Sequence, residues 1–319
     1  MKFLHIILIS LLIAGCMSPT EQMTPTSTSA APVLTPTPTS AVPITPPAST
    51  ETPLPEGDPV LVGSGDIAHC RSDGDEITAS MLDDIPGTVF TTGDNVYRDG
   101  TAEEFANCYD PSWGRHKERT YPSPGNHDYH TADGAGYFEY FGSRAGEPGK
   151  GYYSYELGDW HIIVLNSNIP VRADSPQEQW LRTELSAHPA ACTLAYWHHP
   201  RFSSGTVHGS DEDMQPLWQA LYDFGADVVL VGHEHNYERF ALQDPRGIAD
   251  PTRGIRQFVV GSGGRSHYEF GVPIANSEVR NGDTSGLLKL TLHSTSYSWE
   301  FIPEPGKTFT DSGNAPCVK

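Results

Sequence analysis

An apolar run, Val229-Leu230-Val231, ends in Gly232 and is followed at once by His233-Glu234-His235. Side chains alternate along an extended segment, so two histidines separated by one residue at a strand end can aim at a single point. Neutral imidazole is a common metal ligand. Four more polar motifs follow strand-like stretches: Gly65-Asp66, Gly93-Asp94 with Tyr97, Gly125-Asn126-His127-Asp128, and His198-His199-Pro200. Together Asp66, Asp94, Tyr97, Asn126, His198, His233 and His235 supply two carboxylates, a phenol, an amide and three imidazoles. Oxygen and nitrogen donors without thiolates suit iron, manganese or zinc. The set is too large for one ion and fits two ions bridged by a carboxylate. Such a pair can clamp phosphoryl oxygens and hold a bridging hydroxide as nucleophile.

These motifs need elements that point them the same way. Val60-Leu61-Val62, Val89-Phe90, residues 192–197 and residues 229–231 read as buried strands, each broken by glycine or histidine. Between them, residues 73–85 place Ile77, Met81, Leu82 and Ile85 at helical spacing. Residues 101–117 read as helical with an interruption near Pro111. Ser175-Pro176-Gln177-Glu178 carries a cap and a first-turn proline, and residues 211–224 form an amphipathic helix. Residues 152–157 and 161–166 read as a hairpin about Gly158-Asp159. Residues 257–260, 287–293 and 297–302 read as closing strands. In α/β sheets, ligand groups gather on loops leaving the carboxyl ends of strands. Five motifs far apart in sequence can therefore converge on one site.

The ends and the composition narrow the setting. Residues 1–15 read as an export signal: a basic start, a short apolar run, then small residues. Leu12-Ile13-Ala14-Gly15-Cys16 resembles a bacterial lipobox, in which Cys16 becomes lipidated after cleavage. Residues 16–57 are rich in Ser, Thr, Pro and Ala without apolar periodicity, an extended tether that cannot fold alone. Residues 58–319 suffice for one large α/β domain. The formal charge of −20 argues against nucleic acid as a partner, and requires that any anionic substrate be attracted locally. Cys70, Cys108, Cys192 and Cys317 allow three pairings in an exported protein. The expected pairs are Cys70 with Cys108, joining two motif loops, and Cys192 with Cys317, pinning the C-terminus.

The ordered series Gly65-Asp66, Gly93-Asp94-x-x-Tyr97, Gly125-Asn126-His127-Asp128, His198-x-Pro200 and Gly232-His233-x-His235 resembles the calcineurin-like metallophosphoesterases. Tyr97, and Tyr237-Glu238-Arg239 after the last motif, make it similar to the purple acid phosphatases in particular. The resemblance runs from about Val60 to Gly264. It implies a sandwich of two mixed β-sheets flanked by helices. By the same resemblance, Asp66, Tyr97 and His235 hold an Fe(III) and Asn126, His198 and His233 a divalent zinc, iron or manganese. Asp94 bridges the two, and a bridging hydroxide attacks phosphate monoesters. The phenolate of Tyr97 gives the family its colour.

In that scheme His127 bonds a phosphoryl oxygen and His208 lies near where relatives place the proton donor for the leaving group. Related plant enzymes have a second histidine where this chain has Val207, and a glutamate where it has Asp128. They also carry a preceding β-sandwich for which the tether leaves no room. His199 reads as a supporting residue. His69, His116, His130, His161, His188, His267 and His293 read as surface or hydrogen-bonding histidines. Gly261-Ser262-Gly263-Gly264 lacks the Lys-Ser/Thr of a phosphate loop and reads as a loop brushing the metal site. The expected activity is that of an exported, lipid-anchored phosphomonoesterase. A phosphodiesterase or nucleotidase, and a non-catalytic metal-binding surface protein, are the alternatives.

Overall fold

The computed structural model describes residues 57–318. The expected signal, Cys16 and the tether as far as residue 56 lie outside the described residues. In chain order the first strands are β1 (Val60–Ser64), β2 (Ala68–His69), β3 (Thr88–Thr92), β4 (Val96–Tyr97), β5 (Thr120–Ser123), β6 (Tyr153–Leu157), β7 (Trp160–Val164) and β8 (Cys192–Tyr196). Then come β9 (Val228–Val231), β10 (Tyr237–Phe240), β11 (Arg256–Val260), β12 (Ser277–Asn281), β13 (Gly286–Leu292), β14 (Ser296–Pro303) and β15 (Ser312–Pro316). The α-helices are α1 (Gly74–Asp83), α2 (Ala102–Glu104), α3 (Ala135–Phe141), α4 (Pro176–Ala187) and α5 (Gln215–Asp223).

One sheet has the order β15-β14-β13-β1-β3-β5 and the other β12-β10-β11-β9-β8-β7-β6. Both are mixed: β1, β3 and β5 run parallel, as do β7, β8, β9 and β11, and antiparallel strands flank each set. This is the expected two-sheet sandwich flanked by helices.

Alternation along the strands builds its layers. Leu61, Phe90, Leu288, Leu290 and Phe301 of the first sheet meet Ile162, Leu194 and Leu230 of the second in the space between them. The intervening residues face outward. Ile163, Ala195 and Val229 meet Leu181, Leu185, Leu217 and Trp218 of α4 and α5, while Val62 and Val89 meet Ala79 and Leu82 of α1. Because both faces of the central strands are covered, they read as continuous apolar runs.

Two helical expectations shift in detail. The helix expected over residues 73–85 is α1, but its buried face holds Asp75, Thr78, Ala79 and Leu82, and Ile77 is exposed. Thr78 decides the orientation: its hydroxyl donates to the Gly263 carbonyl at 2.6 Å and accepts from the Trp113 indole at 3.0 Å. Residues 101–117 divide into α2, capped by Thr101 and Glu104, a π-helical turn (Phe105–Tyr109) and a 3₁₀ stretch (Trp113–Arg119). The hairpin and the Ser175 cap form as expected. Both expected disulfides, Cys70–Cys108 and Cys192–Cys317, are present.

Candidate metal centre

The loops leaving β1, β3, β5, β8 and β9 bring the seven expected donor residues to one place. Three of them stand in left-handed backbone: Asp66 at φ 58°, Asp94 at 50° and His233 at 71°. Such a conformation costs a non-glycine residue about 1–3 kcal/mol and persists where surrounding bonds over-determine it. Those bonds are present. The His233 amide donates to Asp66 Oδ2 at 2.9 Å, and the His127 amide donates to Asp94 Oδ1 at 2.8 Å. Gly125 is needed for close approach, since a Cβ there would come within 2.1 Å of Asp94 Oδ1. A Cβ on Gly93, itself at φ 86°, would press on the His198 ring.

Two triads share Asp94. In the first, the Tyr97 hydroxyl stands 2.7 Å from Asp66 Oδ1 and 3.1 Å from His235 Nε2, and His235 Nε2 is 3.3 Å from Asp66 Oδ1. In the second, His198 Nε2 lies 3.0 Å from Asn126 Oδ1 and 3.1 Å from His233 Nδ1. Asp94 Oδ2 joins them, 2.9 Å from the Tyr97 hydroxyl and 3.4 Å from His198 Nε2. One nitrogen each of His198 and His233 and an oxygen of Asp94 lie within 4.8 Å of one another.

The donors fit cations. His198 Nδ1 donates to the Thr92 carbonyl at 2.7 Å and His235 Nδ1 to the Ser266 carbonyl at 2.6 Å. Each neutral ring then turns the lone pair of Nε2 inward, as outer-shell partners do for ligating histidines. The electrostatics agree. Burial, then the carboxylates of Asp66 and Asp94, push the Tyr97 phenol well above its ordinary value, so a phenolate there requires a positive ion beside it. Burial opposes a charged His198, yet Asp94 outweighs it and pushes the ring up to about 9. A bound cation would take that proton's place. Burial would raise Asp94, but His198 and His127 hold it below the usual carboxylate range.

The two residues expected to handle the substrate stand beside these triads. The His127 ring packs on Tyr97 with centroids 4.4 Å apart, its Nδ1 bonds the Arg98 carbonyl at 2.6 Å, and its Nε2 is 4.0 Å from Asp94 Oδ2. His208 stacks on His233 at 3.8 Å from an exposed loop. His199 bonds Ser167 Oγ at 2.6 Å and packs beside His233. Gly261 touches Asp66, so the glycine-rich loop does border the site.

Three supporting residues escaped the sequence reading. Asp128 is fully buried and accepts from the Gly125 amide at 2.8 Å and the Asn95 side chain at 2.9 Å, locking two motif loops together. Burial, then Asp94, push it up to about 7. Glu234, buried between the two histidines, accepts the His208 and Gly209 amides at 2.6 Å each. Tyr268 stacks on His235 at 3.9 Å. The positions of Asp128 and Glu234 inside the motifs were signals; Tyr268 had none.

The family model described as Calcineurin-like phosphoesterase matches residues 61–237. Among curated proteins the chain is similar to purple acid phosphatase 15 of Arabidopsis thaliana, 28% identical over 211 residues, 55% of this chain and 40% of the relative. It is 31% identical over 173 residues to a purple acid phosphatase of Glycine max, 48% of this chain and 37% of the relative. The chain thus spans about two fifths of the length of these relatives. Among solved structures, a purple acid phosphatase from yellow lupin (Lupinus luteus) seeds superposes with a TM-score of 0.66 at 18% identity, covering 81% of this chain and 53% of that one. GAP50, the anchor in the inner membrane complex of Plasmodium, superposes with a TM-score of 0.65 at 15% identity, covering 83% and 90%. At these identities the structural likenesses speak to fold.

Proposed function

This chain belongs to the calcineurin-like phosphoesterase family, and on that premise we propose that it is an exported, dinuclear-metal phosphatase that hydrolyses phosphate monoesters. The observation that carries the reading is Asp94. Its Oδ2 stands within 2.9 Å of the Tyr97 hydroxyl and 3.4 Å of His198 Nε2, between two triads of metal-type donors. Asp66, Tyr97 and His235 would hold Fe(III); Asn126, His198 and His233 would hold a divalent zinc, iron or manganese. When bound, the ions supply Lewis acidity toward phosphoryl oxygens and activation of water.

The remaining work falls to side chains. His127 has Nδ1 engaged by the Arg98 carbonyl and faces the centre with Nε2, where it would bond a phosphoryl oxygen. His208, stacked over the Asn126 and His198 side on His233, gives a proton to the departing alkoxide. On a chain of net charge −20, arginines at the rim make the approach of an anion tolerable. Arg265 lies over the Tyr97 ring at 5.1 Å, and burial, then Arg265, Arg71 and Arg98 nearby, disfavour the charged form of His69. A cleft of about 660 Å³, lined by Ser167, Asn168, Arg172, His199, Asp213 and Met214, opens next to His233 and would take the leaving group.

The setting is proposed with the chemistry: a signal over residues 1–15, a lipid on Cys16, a tether over 16–57 and a catalytic body over 58–319, held at the outer face of a bacterial membrane. Two disulfides suit an oxidising compartment. The deciding experiment compares hydrolysis of an aryl phosphate monoester with the matching diester by the full chain carrying its own metals. Faster monoester turnover is expected. Turnover of the diester alone would overturn the substrate class and give the cleft to a second phosphorus substituent. Two bound metals with neither ester hydrolysed would leave a metal-binding surface protein.

A further inference from the structure

At the opposite end of the seven-stranded sheet, three potential ligands meet outside the centre described above. His161, the second residue of β7, is level with Thr193 at the start of β8. His198 follows the other end of β8, five residues on, a separation of about 16 Å at the rise of a strand. His161 points outward from the sheet toward α4, where Glu184 and His188 lie one helical turn apart. One ligand atom from each of His161, Glu184 and His188 lies within 4.8 Å of the other two.

The arrangement is unexplained as simple packing. His161 is 1% exposed, and among the described residues neither of its ring nitrogens makes a hydrogen bond. A buried imidazole without partners is costly. Its Nε2 nevertheless points at Glu184 Oε1, 3.3 Å away, without hydrogen-bond geometry. His188 Nδ1 reaches the same oxygen at 3.0 Å while shared with the Glu184 carbonyl at 3.2 Å. Ser154 Oγ donates to that oxygen at 2.6 Å, orienting the carboxylate from behind. Ligands bound at about 2.0–2.1 Å in a tetrahedron stand roughly 3.3 Å apart, close to both imidazole–carboxylate separations. Two histidines and a glutamate are a recurrent zinc donor set that leaves the fourth position to water. The buried His161 and the half-exposed His188 give one anchored ligand and one at the solvent edge, 54% accessible.

We propose that His161, Glu184 and His188 form a second metal site, taking a single Zn²⁺ that ties α4 to the strand β7. The proposal adds a ligand role to His161 and His188, which the sequence reads as surface or hydrogen-bonding histidines. The site is independent of the phosphoesterase chemistry, because its residues lie at the end of the sheet opposite the centre.

The test uses the full chain purified with its own metals, as wild type and as His188→Ala, a change at an exposed side chain that spares the fold. Both are dialysed against micromolar Zn²⁺ and their metal content is counted per chain. Wild type is expected to hold one zinc more than His188→Ala, with equal phosphate ester turnover. Saturating Zn²⁺ is expected to raise the melting temperature of wild type by several degrees more than that of the variant, because a ligand stabilises the state that binds it. Equal zinc content and equal thermal shifts in the two proteins would overturn the site. If Glu184→Gln folds, it must lose the same zinc; retention there would also overturn it.

Discussion

The two halves of the metal centre differ in how they are enclosed. Asp66, Tyr97 and His235 are at most 3% exposed, and Tyr268 and Arg265 cover them from outside. Asn126 and His233 are half-buried and border the large cleft through His199, with only His198 fully enclosed. A closed half holds its ion by a complete protein shell, and an open half leaves room for an incoming group. Under the proposed function the difference would divide the work: charge would be stored on the Tyr97 side, and substrate and leaving group would be handled on the Asn126 side, where His208 also sits.

Asp94→Asn strikes both halves, because its oxygen is the contact they share. Turnover of a phosphate monoester is expected to fall by about a thousandfold or more, with metal content falling too. Unchanged hydrolysis would sink the shared-carboxylate mechanism. Next in size, Asn126→Ala and Tyr97→Phe separate the halves. The open-side change should lower turnover by at least about 100-fold and lose one metal on dialysis. The closed-side change should cost about 10-fold or less, while abolishing the visible charge-transfer band. The reverse ranking would mean that the enclosed half, not the open one, engages substrate.

A smaller effect sharpens the role of the open half. Glu234→Ala releases the two amides that hold the His208 loop. If His208 serves the leaving group, alkyl phosphates, whose alkoxides need a proton, should lose about 10-fold in kcat while aryl phosphates change little. Equal losses on both would reduce Glu234 to a support for the metal ligands beside it.

The residues that gather at the candidate centre were legible because each lies within two or three residues of a strand end, so local sequence carried them. Their orientation was not. Thr92 and Ser266 position His198 and His235 through backbone carbonyls, which leave no trace in residue type. The central strands were legible as apolar runs, but the edge strands β12 and β15 were missed. Ser277–Asn281 and Ser312–Pro316 are polar, lack alternation, and exist through pairing with β10 and β14. On α1 and just past its end, Leu82, Met81 and Ile85 pack as expected and Ile77 does not, while Thr78 spends its buried position on a hydrogen bond that hydrophobic spacing cannot register. His161, Glu184 and His188 stayed hidden for a related reason: a strand and a helix supply them, and only the packing of α4 on the sheet joins them.

The smallest functional effect should come from the scaffold of the closed half. Cys70 follows β2, which pairs with β4 and hence with Tyr97, and Cys108 lies in the helical turn just beyond. The bond between them closes a loop with a sequence separation of 38. Its main action is on the unfolded chain, whose freedom it limits, and its removal costs about 2–4 kcal/mol. The strand pairing and the Tyr97 contacts remain without it. Cys70→Ser with Cys108→Ser should therefore lower the melting temperature by several degrees while kcat at moderate temperature stays within about twofold. A large loss of kcat, with the visible band shifted, would show that the closed half is held in place by the disulfide and not by its own hydrogen bonds.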